Sequence, residues 1–307
     1  MRVHPGIAGL EASAVLGLFT SADATRFGVS YESVAHHCRP GGRWERLYPS
    51  VFRVRAAGEP TGQRYLAALM WAGPDAVLSH AASARILDLD GIRSAPPELW
   101  SPTKRPRPGV IVHRGRLPAV DIVRSGPLRH TSHLRTARDL ATVLDDDDLL
   151  ELVVESVIRV HPGYEELLAG YPVPALARVL GRRRRGEPAT ESELETRYIQ
   201  LMRASALPPP IRQYRVLDDR EHCLARLDLA WPEASMWVEL DGRRWHDTPE
   251  ALLRDRRRQN TVGTRLGWTP LRFTWDDVIR RPRDTRLATE QMYRSRVPAG
   301  WRPAAPV

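Results

Sequence analysis

Lysine is nearly missing from this sequence of 307 residues, since Lys104 is the only one among 46 basic residues. The positive charge is therefore almost entirely arginine, a bias that a GC-rich genome explains as well as phosphate binding does. The formal net charge of +9 favours polyanionic partners, meaning nucleic acid or an anionic surface. Charge of this kind indicates partners and carries no information about the fold.

Cysteine is also scarce, because Cys38 and Cys223 stand alone and far apart. This excludes a disulfide framework and a cysteine-based zinc site, and it favours a reducing compartment. No apolar run reaches the roughly 18 residues of a membrane span. The apolar patch at 14–19 is short and follows Glu11, unlike a signal peptide. We therefore expect a cytoplasmic protein without a membrane partner, long enough for two or three domains.

The most informative stretch runs from Leu224 to His246. Two runs that alternate apolar and polar residues flank a turn-like segment at 232–235, which predicts a β-hairpin. If Trp231 pairs with Met236, the same register builds one continuous apolar face from the pairs Leu229 with Val238 and Leu227 with Leu240. The hairpin is therefore expected to cover a core with that face.

The other face of this hairpin is acidic. The register places Asp228 opposite Glu239, with Cβ atoms about 5 Å apart, and Asp241 lies on the same side. Carboxylates this close repel each other unless something neutralises them, most simply Mg²⁺ or Mn²⁺. The alternative is a solvated strand face on which these acids lie beside Arg226. The agreement of register, apolar back face, third acid and nearby His246 favours the metal site.

Residues 9–54 predict three short helices and a hairpin, the layout of a winged helix-turn-helix. Ser30 is placed to cap a helix that would enter a DNA groove. The residues predicted to contact DNA are Tyr31, His37 and Arg39 on this helix and Arg43 near the wing. The alternative is a small helical module that binds protein.

This stretch resembles the N-terminal winged-helix domain of AbiEi-type antitoxins, which repress their own operons. The Gly-Arg-Trp entry at 42–44 and the Tyr-Pro-Ser-Val-Phe turn at 48–52 carry the resemblance. It implies DNA as a partner and a cognate toxin protein as another.

Residues 57–160 predict an α/β region, with helices at 61–72, 79–87 and 136–143, short strands at 98–101 and 110–114, and an extended segment at 120–123. The acidic run at 145–148 is interpreted as a helix N-terminus, because acids there complement the helix dipole. The histidines of this region lack metal-ligand spacing, so they are interpreted as ordinary hydrogen-bonding residues. They are His80, His113, His130 and His133.

An arginine-rich segment at 181–186 separates this region from the C-terminal one. We interpret it both as a flexible, solvated linker and as a source of phosphate contacts. Beyond it, Thr190 is predicted to cap a helix, followed by a strand at 211–216, the hairpin, a second helix after Thr248 and a last strand at 269–274.

The order helix, strands, helix, strand resembles the PD-(D/E)XK nuclease core, and more closely the Vsr-like endonuclease domain related to very-short-patch repair enzymes. The resemblance covers about residues 191–281. The matching patches are Ser192 to Glu195, Arg226 to Trp231, Val238 to Gly242, Trp245 to His246, Arg254 to Asn260, Gly267 to Trp268 and Leu271 to Phe273.

By this likeness, Asp228 and Glu239 match the metal-binding acids and Glu195 matches the helical acid. Asp241 stands where many nucleases of this group carry lysine, which is a departure. Either Arg244 or His246 takes that role, or Asp241 is a further metal ligand. The cysteine and histidine zinc site of mismatch-specific enzymes is missing from the sequence, so T:G mismatch repair is not implied.

The sequence thus predicts a multidomain α+β or α/β protein. The expected parts are a winged helix-turn-helix domain at 1–56, a mixed α/β domain at 57–160, a helical and arginine-rich linker at 161–189, a restriction-endonuclease-like domain at 190–285 and a tail at 286–307.

The predicted activity is Mg²⁺- or Mn²⁺-dependent hydrolysis of phosphodiester bonds in DNA, in repair, defence or mobile-element control. Asp228, Glu239 and Asp241 are the expected ligands, with Glu195 as a further catalytic acid and His246 as general acid or base. The residues expected to contact nucleic acid in this domain are Arg244, Trp245, Arg254, Arg257, Arg258 and Asn260. The alternatives are a non-enzymatic DNA-binding regulator and an AbiEi-type antitoxin with a degenerate nuclease domain.

Overall fold

The computed structural model describes residues 5–104, 106–184, 186–218, 220–241, 263 and 267–297. These residues form two compact units, the first within 1–145 and 170–176 and the second within 146–169 and 177–307. The chain is mixed α/β with several sheets, as the sequence predicts. In the described part of the chain, every helix is too short or too polar to cross a bilayer.

The first unit begins with a small α/β arrangement. Its elements are α1 (Pro5–Ser13), β1 (Leu18–Thr20), α2 (Ser21–Arg26), α3 (Tyr31–His37), β2 (Trp44–Tyr48) and β3 (Val51–Val54). The strands form an antiparallel sheet in the order β1, β3, β2. Ser30 caps α3 as predicted, since its hydroxyl accepts a hydrogen bond from the backbone N–H of Ser33 at 3.2 Å. Phe19, Trp44 and Phe52 are buried between the helices and the sheet.

The rest of the first unit contains a five-stranded mixed sheet in the order β6, β5, β4, β8, β7. Its elements are α4 (Gln63–Ala72), β4 (Val77–Leu78), α5 (His80–Ile86), β5 (Glu98–Ser101), β6 (Ile111–Arg114), β7 (Ile122–Ser125), β8 (Leu128–Thr131) and α6 (His133–Ala141). β5 runs parallel to β6, and β4 runs parallel to β8. The sequence predicts most of these elements but not β4 or β8, which are short and lie at the centre of the sheet.

The second unit opens with helices: α7 (Asp147–Val160), α8 (Tyr164–Ala169), α9 (Pro174–Leu180), whose first residues fall in the first unit, and α10 (Glu193–Met202). The carboxylate of Asp146 caps α7, accepting from the backbone N–H groups of Asp148 and Leu149, which confirms the interpretation of the acidic run. The predicted cap of α10 is wrong. Ser192 caps this helix by accepting from the Glu195 N–H at 3.2 Å, whereas the hydroxyl of Thr190 lies 2.7 Å from that of Thr196.

The arginine-rich segment differs from the predicted flexible linker. Arg183 is buried and binds the buried carboxylate of Glu155 on α7, and Arg182 binds Asp148 of the same helix at 2.8 Å. Because α7 carries acids on the side that meets this segment, the arginines pair within the fold. These two guanidinium groups are therefore not free for the phosphate contacts that the sequence predicts.

A four-stranded sheet follows, in the order β12, β11, β10, β9. Its strands are β9 (Ile211–Leu217), β10 (Cys223–Trp231), β11 (Met236–Asp241) and β12 (Thr269–Thr274), and only the β11–β12 pair among them is parallel. The helices α11 (Trp275–Arg280) and α12 (Pro282–Arg296) end the described chain. α12 begins before the predicted tail, so residues 286–296 are helical, and its Thr289 hydroxyl lies 2.8 Å from that of Tyr198 on α10.

Candidate functional site

The hairpin of β10 and β11 has the predicted register where the ladder pairs them. Trp231 lies opposite Met236 and Leu229 opposite Val238. The turn between them is a short 3₁₀ segment that ends at Ser235 with φ of +48°. Next to this pair, a backbone group of β11 binds a side chain of β10. The N–H of Leu240 donates a hydrogen bond to Oδ2 of Asp228 at 3.0 Å. The acid of β10 is thereby tied to the backbone next to Glu239.

The predicted apolar face is correct for most of its members and wrong for Leu227. Leu229, Trp231, Met236, Val238 and Leu240 pack in one buried cluster with α10, whereas Leu227 packs with Ala230 and Trp237 in another. The neighbouring strand β9 is irregular at the same level. There Gln213 has φ of +50°, in the left-handed region, and the described ladder omits a pair between Gln213 and Asp228. The regular alternation of side chains is therefore interrupted at Asp228.

Glu195 on α10 is buried, with three hydrogen-bond donors around its carboxylate. The Glu191 N–H donates at 2.9 Å, the Ser192 hydroxyl at 3.0 Å and the Gln213 amide at 2.9 Å. Burial raises the pKa of Glu195 to about 7, and the negative charge of Asp228 adds to the rise while the Glu191 N–H opposes it. Glu195 and Asp228 are thus electrostatic neighbours. Gln213, which the sequence analysis missed, connects β9 to this acid.

The two acids of β11 differ in environment. Glu239 is buried, directly before the residue that bonds Asp228. Asp241 is half exposed and pairs with Arg272 of β12 at 3.2 Å. In the described ranges, no three of the acids Glu195, Asp228, Glu239 and Asp241 bring ligand atoms within 4.8 Å of one another. The site is therefore a loose acidic group and not a preassembled cage.

Seven predicted site residues lie outside the described residues, so their roles stay predictions. They are Arg244, Trp245, His246, Arg254, Arg257, Arg258 and Asn260.

The predicted DNA contacts of the first unit separate into two kinds. Tyr31 and Arg39 are exposed at the two ends of the α3 region. The ring of His37 packs on Trp44, with centroids 4.9 Å apart, and Arg43 pairs with Glu11 at 2.5 Å. The Arg43 hydrogen bond lowers the pKa of Glu11. Tyr31 and Arg39 are thus available at the surface, while His37 and Arg43 have contacts within the fold.

The structure also brings together residues that the sequence analysis interpreted as ordinary hydrogen-bonding residues. His80, Glu98 and His113 come together, with one ligand atom from each within 4.8 Å of the others. They lie on α5, β5 and β6, and 18 and 15 residues separate them in the sequence. Such spacing resembles no metal motif, and the three residues meet through the pairing of β5 with β6 and the position of α5.

No family model matches the chain. It is similar to two uncharacterized proteins of Mycobacterium tuberculosis, MT2308 of strain CDC 1551 / Oshkosh and Rv2248 of strain ATCC 25618 / H37Rv. Each is 28% identical over 253 residues, which cover 75% of this chain and 86% of the relative. The similarity therefore extends over most of both chains and carries no information about activity.

Proposed function

We propose that this protein is a metal-dependent endonuclease that hydrolyses phosphodiester bonds in DNA, with its site at the acids of α10, β10 and β11. The observation that carries the proposal is the position of Asp228. Its carboxylate is held by the Leu240 N–H at 3.0 Å, and its charge adds to the rise in the pKa of Glu195 that burial causes. A fold that gathers acids at an irregular point of a sheet, against their mutual repulsion, is typical of a site for a cation.

The chemistry of these ligands fits Mg²⁺ or Mn²⁺. Both ions prefer hard oxygen donors, and Mg²⁺ usually binds one or two carboxylates while waters and substrate phosphates complete its shell. Two acids that do not form a closed cage, such as Asp228 and Glu239, leave coordination positions for those waters and phosphates. Asp228 and Glu239 would hold the ion, and Asp241 would extend the site. When bound, such an ion supplies charge neutralisation at the phosphate and a water of lowered pKa.

Glu195 can handle a proton at neutral pH. With a pKa of about 7, its carboxyl exists in both protonation states near pH 7, which suits a general acid or base. The Ser192 hydroxyl and the Gln213 amide fix its two oxygens, so the proton would be delivered from a defined position. His246 remains the alternative for this role.

The charge of the chain supports a nucleic-acid substrate. The formal net charge is +9, and arginine supplies almost all of the positive charge. Guanidinium groups bind phosphates with two parallel hydrogen bonds, which adds orientation to the attraction. The resemblance to Vsr-like endonucleases points to the same substrate class.

The proposal is tested by incubating the purified full chain with single-stranded, duplex and mismatched DNA, in Mg²⁺ or Mn²⁺ and in EDTA. We expect metal-dependent cleavage that Asp228→Asn and Glu239→Gln abolish. Asp284→Asn, which changes an exposed acid at the start of α12, is the matched control and should cleave like the wild type. Cleavage that survives both site substitutions, or no cleavage of any of these DNAs, would contradict the proposal.

A second candidate function is DNA binding by the first unit, as a transcriptional regulator or antitoxin. The order α1, β1, α2, α3, β2, β3 with an antiparallel sheet supports a winged helix-turn-helix, in which α3 would be the recognition helix. Tyr31 and Arg39 are exposed on or beside that helix. Tight, salt-sensitive DNA binding without cleavage would favour this second function.

A further inference from the structure

A group of nitrogen- and oxygen-bearing side chains belongs to the first unit, whereas the acids of the proposed nuclease site belong to the second. His80 is the first residue of α5, Glu98 is the first residue of β5 and His113 belongs to β6. In the parallel pair of β5 and β6, Glu98 lies opposite Ile111 and Trp100 opposite His113, so Glu98 and His113 share one face of the sheet. The start of α5 brings His80 to the same place.

One oxygen of Glu98 connects the three side chains. Oε1 of Glu98 lies 2.8 Å from Nε2 of His113 and 3.7 Å from Nδ1 of His80. The second neighbour of His80 Nδ1 is the Ser79 hydroxyl at 2.9 Å. The side chain of His80 is 2% exposed and that of Glu98 9%, while His113 is 25% exposed. The group is thus buried on one side and open to solvent through His113.

The backbone of His80 is strained, because its φ of +46° is rare for a residue other than glycine. Such strain persists where the surroundings fix it, and it is common at functional sites.

We propose that His80, Glu98 and His113 bind one Zn²⁺ ion, with the fourth position open to water. Two imidazole nitrogens and one carboxylate oxygen form a donor set that zinc prefers and that Mg²⁺ does not. The acids of β10 and β11 offer oxygen alone, so the two sites differ in the metal they select. This inference does not depend on the proposed nuclease activity.

Zinc binding requires one change in the arrangement. The rings of His80 and His113 are stacked, with centroids 3.8 Å apart and planes inclined by 20°. An ion lies close to the plane of each imidazole that binds it, and ligand atoms of a tetrahedral zinc site are about 3.3 Å apart. The two rings therefore cannot both bind while stacked. His113 is the more exposed of the two, so we expect it to turn out of the stack while His80 and Glu98 stay in position.

The test is zinc titration of the full chain by calorimetry after removal of bound metal with a chelator. Co²⁺ absorption provides a second measurement, because the intensity of its visible bands reports tetrahedral nitrogen and oxygen coordination. The variants are His113→Gln, whose side chain is accessible to solvent, and Glu98→Gln. The matched control is His222→Gln, since His222 is a well-exposed histidine of the other unit.

We expect one tight zinc site per chain in the wild type and in His222→Gln. Loss of a direct ligand should weaken binding by at least about 100-fold, because even residues that only orient a ligand contribute 10- to 100-fold. His113→Gln and Glu98→Gln should also lose the tetrahedral Co²⁺ spectrum. A wild-type chain that binds no zinc, or two site variants that are folded by circular dichroism and bind zinc like the wild type, would overturn the proposal.

Discussion

Asp228 accepts a hydrogen bond from the backbone N–H of Leu240 at 3.0 Å, so one strand of the acidic hairpin orients its acid through the backbone of the other. This relationship separates the role of Asp228 in folding from its proposed role in metal binding. An asparagine can still accept the hydrogen bond at its side-chain oxygen, but it has no charge to offer a cation. An alanine can neither accept the hydrogen bond nor offer a negative charge.

We therefore expect Asp228→Asn to unfold at nearly the same urea concentration as the wild type, with a change in the free energy of unfolding below about 1 kcal/mol. Asp228→Ala should cost about 1 to 3 kcal/mol, because it leaves the Leu240 N–H without its acceptor. Both should cleave DNA at least about 100-fold more slowly, the factor that matches a loss of several kcal/mol of metal-derived stabilisation. A destabilised Asp228→Asn, or one that cleaves normally, would contradict this division of roles.

Asp241 is expected to contribute less to metal binding than a direct ligand would. Its carboxylate pairs with Arg272 at 3.2 Å, and both side chains are about half exposed. An exposed ion pair contributes at most about 1 kcal/mol, so Asp241→Asn should hardly change the free energy of unfolding. Since Arg272 already binds this carboxylate, the Mg²⁺ concentration for half-maximal cleavage should change less than about 10-fold, which is below the effect of losing a residue that orients a ligand. A Mg²⁺ titration that shows a larger shift would make Asp241 a direct ligand.

Local patterns in the sequence predict much of this fold. The alternation of apolar residues and the turn at 232–235 predict the register of Trp231 with Met236, and the structure has that pair. Such patterns fail where a neighbouring element decides the geometry. The apolar face is broken at Leu227, where Gln213 on the neighbouring strand takes a positive φ, and the sequence around Leu227 carries no signal of that conformation.

Long-range pairing explains the other differences. Arg183 belongs to a run of arginines that is typical of a solvated linker. Its side chain is nevertheless buried, where it pairs with Glu155 of α7. His80 and His113 have no motif spacing, and the order of strands in the sheet brings them to Glu98. In each case the partner lies at least 15 residues away in the sequence, so a local pattern holds no signal of the contact. Of the candidate site, the sequence therefore predicts the acids but not Gln213 or the histidine group.

The surface of α3 gives a prediction for DNA binding. Tyr31→Ala and Arg39→Ala should weaken binding of the full chain to duplex DNA, because both side chains are exposed there. Removal of a phosphate-binding arginine also lowers the slope of log affinity against log salt by about 1. Fluorescence anisotropy across a range of NaCl concentrations measures both effects. Arg116→Ala, which changes an exposed arginine elsewhere in the first unit, is the control. If Arg39→Ala and Arg116→Ala lost DNA affinity equally, the protein would attract DNA by its net charge and α3 would not recognise it.

Glu155 forms the most buried ion-pair group in the described part of the second unit. Its Oε1 atom binds Arg212 at 2.8 Å and also binds Arg183, while the Thr190 N–H donates to Oε2 at 3.1 Å. Glu155→Gln removes the buried carboxylate that two guanidinium groups share, and leaves Arg183 with Glu165 at 3.4 Å and Arg212 with Glu187 at 3.2 Å. The free energy of unfolding should therefore fall by about 3 kcal/mol, the lower end of the range for a broken buried ion pair, measured by urea unfolding at pH 7. Glu166→Gln, which changes an exposed acid on α8, should stay within about 0.5 kcal/mol of the wild type.

The pH dependence of this difference follows from the pKa of Glu155. Burial alone would raise that pKa, but the charges of Arg212 and Arg183 outweigh burial and lower it below 4.5. As pH falls below 4.5, the unfolded chain takes up the proton before the folded one does, and the stabilisation is lost as pH falls through the folded pKa. The stability gap between wild type and Glu155→Gln should thus be constant above about pH 5.5 and narrow in more acidic buffer. A gap that stays constant down to pH 3, or that narrows between pH 8 and 6, would show that the charge of Glu155 does not supply this stabilisation.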